Sequence, residues 1–144
     1  MWVGVRRVSL VRVSQTAADV NSAREYARHD RELPLAVTQN GWRYHHIGIP
    51  TESARSGESY LPELKMYVSG FESSPYGIQW IHFDADAALP EIVQSVPHVA
   101  FVVDDLAQAL AGKEILISPN SPSEGVTVAM ILSDGVPVEL LEFG

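Results

Sequence analysis

Two histidines, His46 and His98, each open a short run of apolar and small residues, HIGIPT at 46–51 and HVAFVV at 98–103. Further along, Gln79 is the second residue of IQWIHF at 78–83. Glu139 is the second residue of VELLEF at 138–143. Histidine therefore falls on histidine, and an amide falls on a carboxylate, in the same order twice. Two imidazole nitrogens, one carboxylate oxygen and one amide oxygen make an N2O2 donor set. Such a set suits a divalent Fe, Co, Ni, Mn or Zn ion better than calcium. Without Gln79, the residues His46, His98 and Glu139 form a two-histidine-one-carboxylate triad of the non-haem iron type. A strand histidine taken alone is ordinarily a core or surface residue. Recurrence at matched positions is what singles these out.

The elements around them must supply strands, because strand side chains alternate between faces. His46 would then share a face with Gly48 and Pro50, and His98 with Ala100 and Val102. Small neighbours leave room beside each imidazole. Gln79 would share a face with Ile81 and Phe83, and Glu139 with Leu141 and Phe143. A carboxylate between Leu141 and Phe143 is costly to bury alone, so it must protonate or find a cation. On the same alternation His45 and His82 point away from the site. Tyr67, Trp80 and Tyr76 read as packing residues, and Asp104 and Asp105 as a helix cap.

The second half has the order β-α-β-β-β. HVAFVV is a strand and DDLAQALAG (104–112) a short helix with an Asp cap and a closing Gly112. EILISP (114–119) is a strand and NSPSEG (120–125) a loop. VTVAMIL (126–132) and VPVELLEF (136–143) are strands joined by the turn SDG. The first half reads as YHHIGIP (44–50), an irregular polar stretch over 51–64, LKMYVSGF (64–71) and IQWIHF. His46 and Gln79 are 33 residues apart, whereas His98 and Glu139 are 41 apart. The difference matches the helix, so the first half reads as the same module with its helix eroded. Between the halves, Pro90 and Pro97 bracket a linker with one helical turn. A competing alignment makes the strand-like run at 2–13 and a helix from 16 to 33 the opening of the first module, but puts Ser9 in the histidine position. Thr16 and Asp19 form the start signal of that helix, and Pro34 would stop it.

Composition narrows the function further. With no cysteine, the chain has no disulfide, thiolate zinc site, iron–sulfur cluster or cysteine nucleophile. A net charge of −8 opposes a nucleic acid partner. Arg6, Arg7 and Arg12 interrupt the first apolar run, which makes it a poor signal peptide, and no run is long enough to span a membrane. A cytoplasmic protein with a small-molecule ligand is the expectation. No phosphate-loop, dinucleotide or serine-hydrolase motif is present.

PHVAFVVDDLAQAL followed by DGVPVELLEF resembles the vicinal oxygen chelate superfamily, which includes glyoxalase-like, bleomycin-resistance-like and dioxygenase-like proteins. The resemblance covers about residues 44–144. It implies an α+β fold of two βαβββ-type modules, 44–83 and 97–144, in an open curved mixed sheet. The first module has a reduced helix, and residues 1–43 form a strand-helix extension. It also implies that His46, Gln79, His98 and Glu139 are the metal ligands, with Glu139 the catalytic proton carrier. That superfamily holds isomerases and lyases, extradiol dioxygenases and non-enzymatic drug binders, so all three functions stay open. Bare sheet edges would also allow a homodimer.

Overall fold

The computed structural model describes residues 16–29 and 31–144. The strand expected over 2–13, with its arginines, lies outside the described residues. The chain divides into two compact units, Met1–Pro34 and Leu35–Gly144. In the first, helix α1 spans Ala17–His29. Its start is the reciprocal cap expected of Thr16 and Asp19. The Thr16 amide donates to Asp19 Oδ2 at 2.9 Å, and the Asp19 amide donates to Thr16 Oγ1 at 3.2 Å.

The second unit is one eight-stranded mixed sheet with short helices. After α2 (Leu35–Thr38) come β1 (Arg43–Pro50), β2 (Ser59–Leu61), β3 (Met66–Ser69) and β4 (Ile78–Phe83). Helix α3 (Glu91–Ser95) is the expected single turn in the linker. Then follow β5 (His98–Val102), α4 (Leu106–Leu110), β6 (Glu114–Ser123), β7 (Val126–Ser133) and β8 (Val136–Phe143). The spatial order is β2-β3-β4-β1-β5-β8-β7-β6. Each half thus has the same order, and the halves join where β1 runs antiparallel to β5.

The registers carry the repeat to the residue. In the first half Gly48 pairs with Gln79 across the parallel β1–β4 ladder; in the second, Ala100 pairs with Glu139 across β5–β8. In both, the partner of the closing-strand residue lies two beyond the histidine. The α+β class and the paired modules are as the sequence implied.

Alternation along β8 separates two faces. Leu140 is fully buried on the outer face in a cluster with Val103, Leu106, Leu110, Ala129 and Ile131, beneath α4. Glu139 and Leu141 face the other way. The α4 start is capped by Asp105, whose side chain accepts from the Gln108 amide at 2.9 Å. The Leu106 amide donates to Glu142 of β8, which ties helix to sheet. The first half has no helix between β1 and β2. Its loop, 51–58, supplies Arg55, whose guanidinium lies 4.4 Å over Trp80. It also supplies Glu58, 3.6 Å from His82. Trp80 and His82 stand at the repeat positions of Leu140 and Glu142, so this loop takes the contacts that α4 takes in the second half.

Two expectations need correction. NSPSEG is not simply a loop: β6 continues to Ser123, with register slips on both sides of Asn120. An edge strand has one unpaired side, so Pro119 and Pro122 cost it no ladder bond. The stretch 51–64 also holds a strand, β2, too short to show a period. Among the described residues no helix is long and apolar enough to cross a membrane.

Leu140 carries the outer core. Truncation by Leu140→Ala is expected to cost about 2–5 kcal/mol, read as a lower denaturant midpoint with an unchanged slope.

Candidate metal centre

The seam between the two halves positions the histidines. Across β1 and β5, His46 pairs with Ala100 and Gly48 pairs with His98. Each imidazole therefore rises beside a small residue of the opposite strand. The fit is tightest at Gly48, where a Cβ would collide with the ring of His98. Both histidines are buried, each 3% exposed, at the floor of a cup on the inner face of the sheet.

Three side chains meet there. His98 Nε2 lies 2.9 Å from Glu139 Oε2, His46 Nε2 lies 3.2 Å from the same oxygen, and the two nitrogens are 3.3 Å apart. Two of these edges can be hydrogen bonds into the carboxylate. The third joins two nitrogens whose protons would then both point at Glu139, so that edge stays unfavourable. A single cation would satisfy all three lone pairs. At metal–ligand distances of about 2.0–2.2 Å, adjacent ligands stand about 3 Å apart, which the triangle matches. The group His46, His98 and Glu139 can hold a metal ion.

Electrostatics agree with that reading. Burial by itself would raise the Glu139 pKa. Hydrogen bonds from His46 and His98, with their charges, outweigh it and hold the carboxyl well below its usual range. The carboxylate is therefore ionised at neutral pH, as a ligand must be.

The two histidines are oriented by different means. His98 Nδ1 is buried without a hydrogen-bond partner, so this ring is held by packing on Gly48. His46 Nδ1 lies 2.8 Å from His45 Nδ1. His45 in turn stacks on Phe71, centroids 4.9 Å apart at 11°. The expectation that His45 points away from the site is therefore overturned. The β1–β5 register slips between Tyr44 and His46, and such a bulge lets consecutive residues share a face. Gly77, at φ +71°, lies against the bulge, where a Cβ would come 2.8 Å from the His45 carbonyl. Tyr44 donates its hydroxyl proton to the Tyr76 carbonyl at 2.7 Å. Burial first, then the charge of His46, lowers the His45 pKa, against the pull of Glu139. A neutral imidazole suits a hydrogen-bonding support for a ligand histidine. The doublet HH was the visible signal; the bulge was not.

Gln79 lines the same cup from β4, with Ile81 and Phe83 beside it as alternation required. No hydrogen bond joins its amide to the other three. His82 does face outward, stacked on Tyr67, and neither Tyr67 nor Trp80 lines the cup. Tyr76 is not core: it is 74% exposed.

Gly48→Ala should displace the His98 ring and lower affinity for a divalent ion while the circular dichroism spectrum stays native. His45→Ala should lower metal affinity about 10–100-fold, the usual effect of removing a ligand's supporting partner, measured by calorimetric titration.

No protein-family model matches the chain, and no curated protein matches it. Among solved structures it is similar to hypothetical protein BH1468 from Bacillus halodurans C-125. The TM-score is 0.57 and the identity 17%, over 72% of this chain and 96% of that one. A weaker likeness, TM-score 0.44 at 16% identity, is to methylmalonyl-CoA epimerase from Mycobacterium tuberculosis, over 88% of this chain and 81% of that one. The likeness to BH1468, at 17% identity, speaks to fold alone. Two modules joined at their first strands, with a donor position repeated in each, make the open mixed sheet that the sequence resemblance implied.

Proposed function

We propose that this protein is a divalent-metal-dependent isomerase or lyase acting on a small substrate with two neighbouring oxygens. The observation that carries the reading is the convergence of His46 Nε2, His98 Nε2 and Glu139 Oε2 at the floor of an apolar cup. In this reading Gln79 is a fourth donor, and the set accepts Ni, Co, Zn, Fe or Mn. A bound ion supplies Lewis acidity to neighbouring substrate oxygens and steadies negative charge developing there.

The chain's own residues do the rest. His46 and His98 fix the floor of the cup. Glu139 Oε1 has no hydrogen-bond partner, and in this reading it takes a proton from the substrate carbon and returns it. A carboxylate held at low pKa stays ionised but is a weak base, so the reading requires a substrate C–H already acidified by its neighbouring carbonyl. The apolar wall keeps water from competing for that proton.

A second reading follows from the amide of Gln79, which has no bond to the other three. Without it the set is the two-histidine-one-carboxylate triad of an extradiol-type iron oxygenase.

Metal analysis of the protein should give about one transition ion per chain, with little in His98→Ala. Incubation with α-hydroxycarbonyl and dicarbonyl probes in D2O should then give metal-dependent deuterium incorporation by NMR. Oxygen uptake on catechols only with ferrous iron would favour the second reading. No retained metal after exposure to Ni, Co, Fe, Mn and Zn would sink both, leaving a metal-free binder.

A further inference from the structure

We infer that the cup takes an uncharged small molecule with an apolar body and one hydrogen-bond donor directed at Asn120 Oδ1. This rests on the proposed metal reading only for the end of the molecule that would meet His46, His98 and Glu139.

The wall decides the charge. Sixteen of the 23 residues lining the cup are apolar, and none is Lys or Arg. Its only ionisable groups are Glu139 and the histidines 45, 46 and 98. A carboxylate or phosphate on the far part of a ligand would leave water without meeting a cation. Its lost hydration would go uncompensated. An aliphatic or aromatic body would instead lie against side chains such as Leu64, Met66, Phe83, Val93 and Ile117. The cavity is about 240 Å³. Sites for drug-sized ligands run to about 300–1,000 Å³, so the molecule is small.

Asn120 supplies a directional feature on the β6 side of this wall. Its Nδ2 donates to the Ser118 carbonyl at 3.0 Å and to the Val128 carbonyl at 3.4 Å. Both partners are acceptors, so the amide cannot be turned over. That leaves Oδ1, which is buried and has no partner. A buried acceptor without a donor is destabilising. Asn120 pairs with Val128, itself a wall residue, so the two share the cup face. The register slips between Ile117 and Asn120 and again between Asn120 and Ser123. Bulges commonly re-aim a side chain beside a site. The oxygen is closed off from the cup, so a ligand O–H or N–H would reach it only once the amide swings toward the cavity and gives up its 3.4 Å bond to the Val128 carbonyl.

The test uses benzohydroxamates, neutral bidentate oxygen chelators, carrying an ethyl, hydroxymethyl or carboxylate group at the meta or para position. Binding is measured by calorimetry on the full chain, with and without Zn2+ or Ni2+, and on Asn120→Leu. The ethyl and hydroxymethyl probes should bind at least about tenfold tighter than the carboxylates. The better hydroxymethyl isomer should lose about five- to tenfold in Asn120→Leu, with the ethyl probe unchanged. Equal or tighter binding of a carboxylate probe overturns the charge argument. An unchanged hydroxymethyl affinity in the variant overturns the Asn120 role, and no binding by any probe overturns both. If Asn120→Leu does not fold, the wild-type ranking still decides the charge, and a hydroxymethyl probe no better than its ethyl counterpart overturns the donor. The metal reading fails separately, when every probe binds with the same affinity whether or not the ion is added.

Discussion

Everything in the second unit hangs on how β1 meets β5. The two strands run antiparallel, and each brings one buried histidine opposite a residue too small to block it. A larger side chain at Gly48 could not coexist with His98 as it stands. A one-residue slip of either strand would send its own imidazole to the outer face, since strand side chains alternate. The seam is thus at once the joint between modules and the floor of the cup. Its ladder fixes the distance between the two nitrogens, and the parallel partners β4 and β8 bring Gln79 and Glu139 up on either side.

The site sets opposing demands against each other. Glu139 is shielded in an apolar setting that by itself would favour its neutral form, yet two imidazoles at 2.9 and 3.2 Å keep it charged. The same apolar surroundings strengthen whatever charge interactions form there, because little water remains to screen them. The buried His98 Nδ1 and Asn120 Oδ1 without partners are the visible cost of that arrangement. Unsatisfied buried polar atoms are uncommon in folded proteins. Two of the four found among the described residues border this one cup.

Much of this is legible in the sequence. IQWIHF and VPVELLEF match β4 and β8 end to end, because a strand with one face buried writes its period directly into the chain. The repeat placed His46, His98 and Glu139 in matching positions, and the fold brings those three together. What escaped has a common cause: each missed feature breaks the period of two. The β1 bulge turns His45 inward, the slips in β6 carry an edge strand through two prolines, and β2 is only three residues long. The replacement of a helix by the loop at 51–58 could be read only as a missing length. That Arg55 and Glu58 take over the outer face depends on contacts between segments far apart in sequence, to which local pattern is blind.

The bulge at Tyr44–His46 also bears on how substitutions here should be interpreted. By simple alternation, position 45 would be filed with the tolerant exterior, where exchanges shift stability by fractions of a kcal/mol. In the folded chain it is the inner neighbour of His46, wedged between Phe71 and Phe143. A variant changed there would keep its fold and pass a stability screen, yet carry a damaged centre. Position 82, also a histidine and also on a strand, faces the other side of the sheet. Two residues of one type, scored alike by any measure of chemical similarity, therefore differ in consequence because one strand holds an extra residue and the other does not.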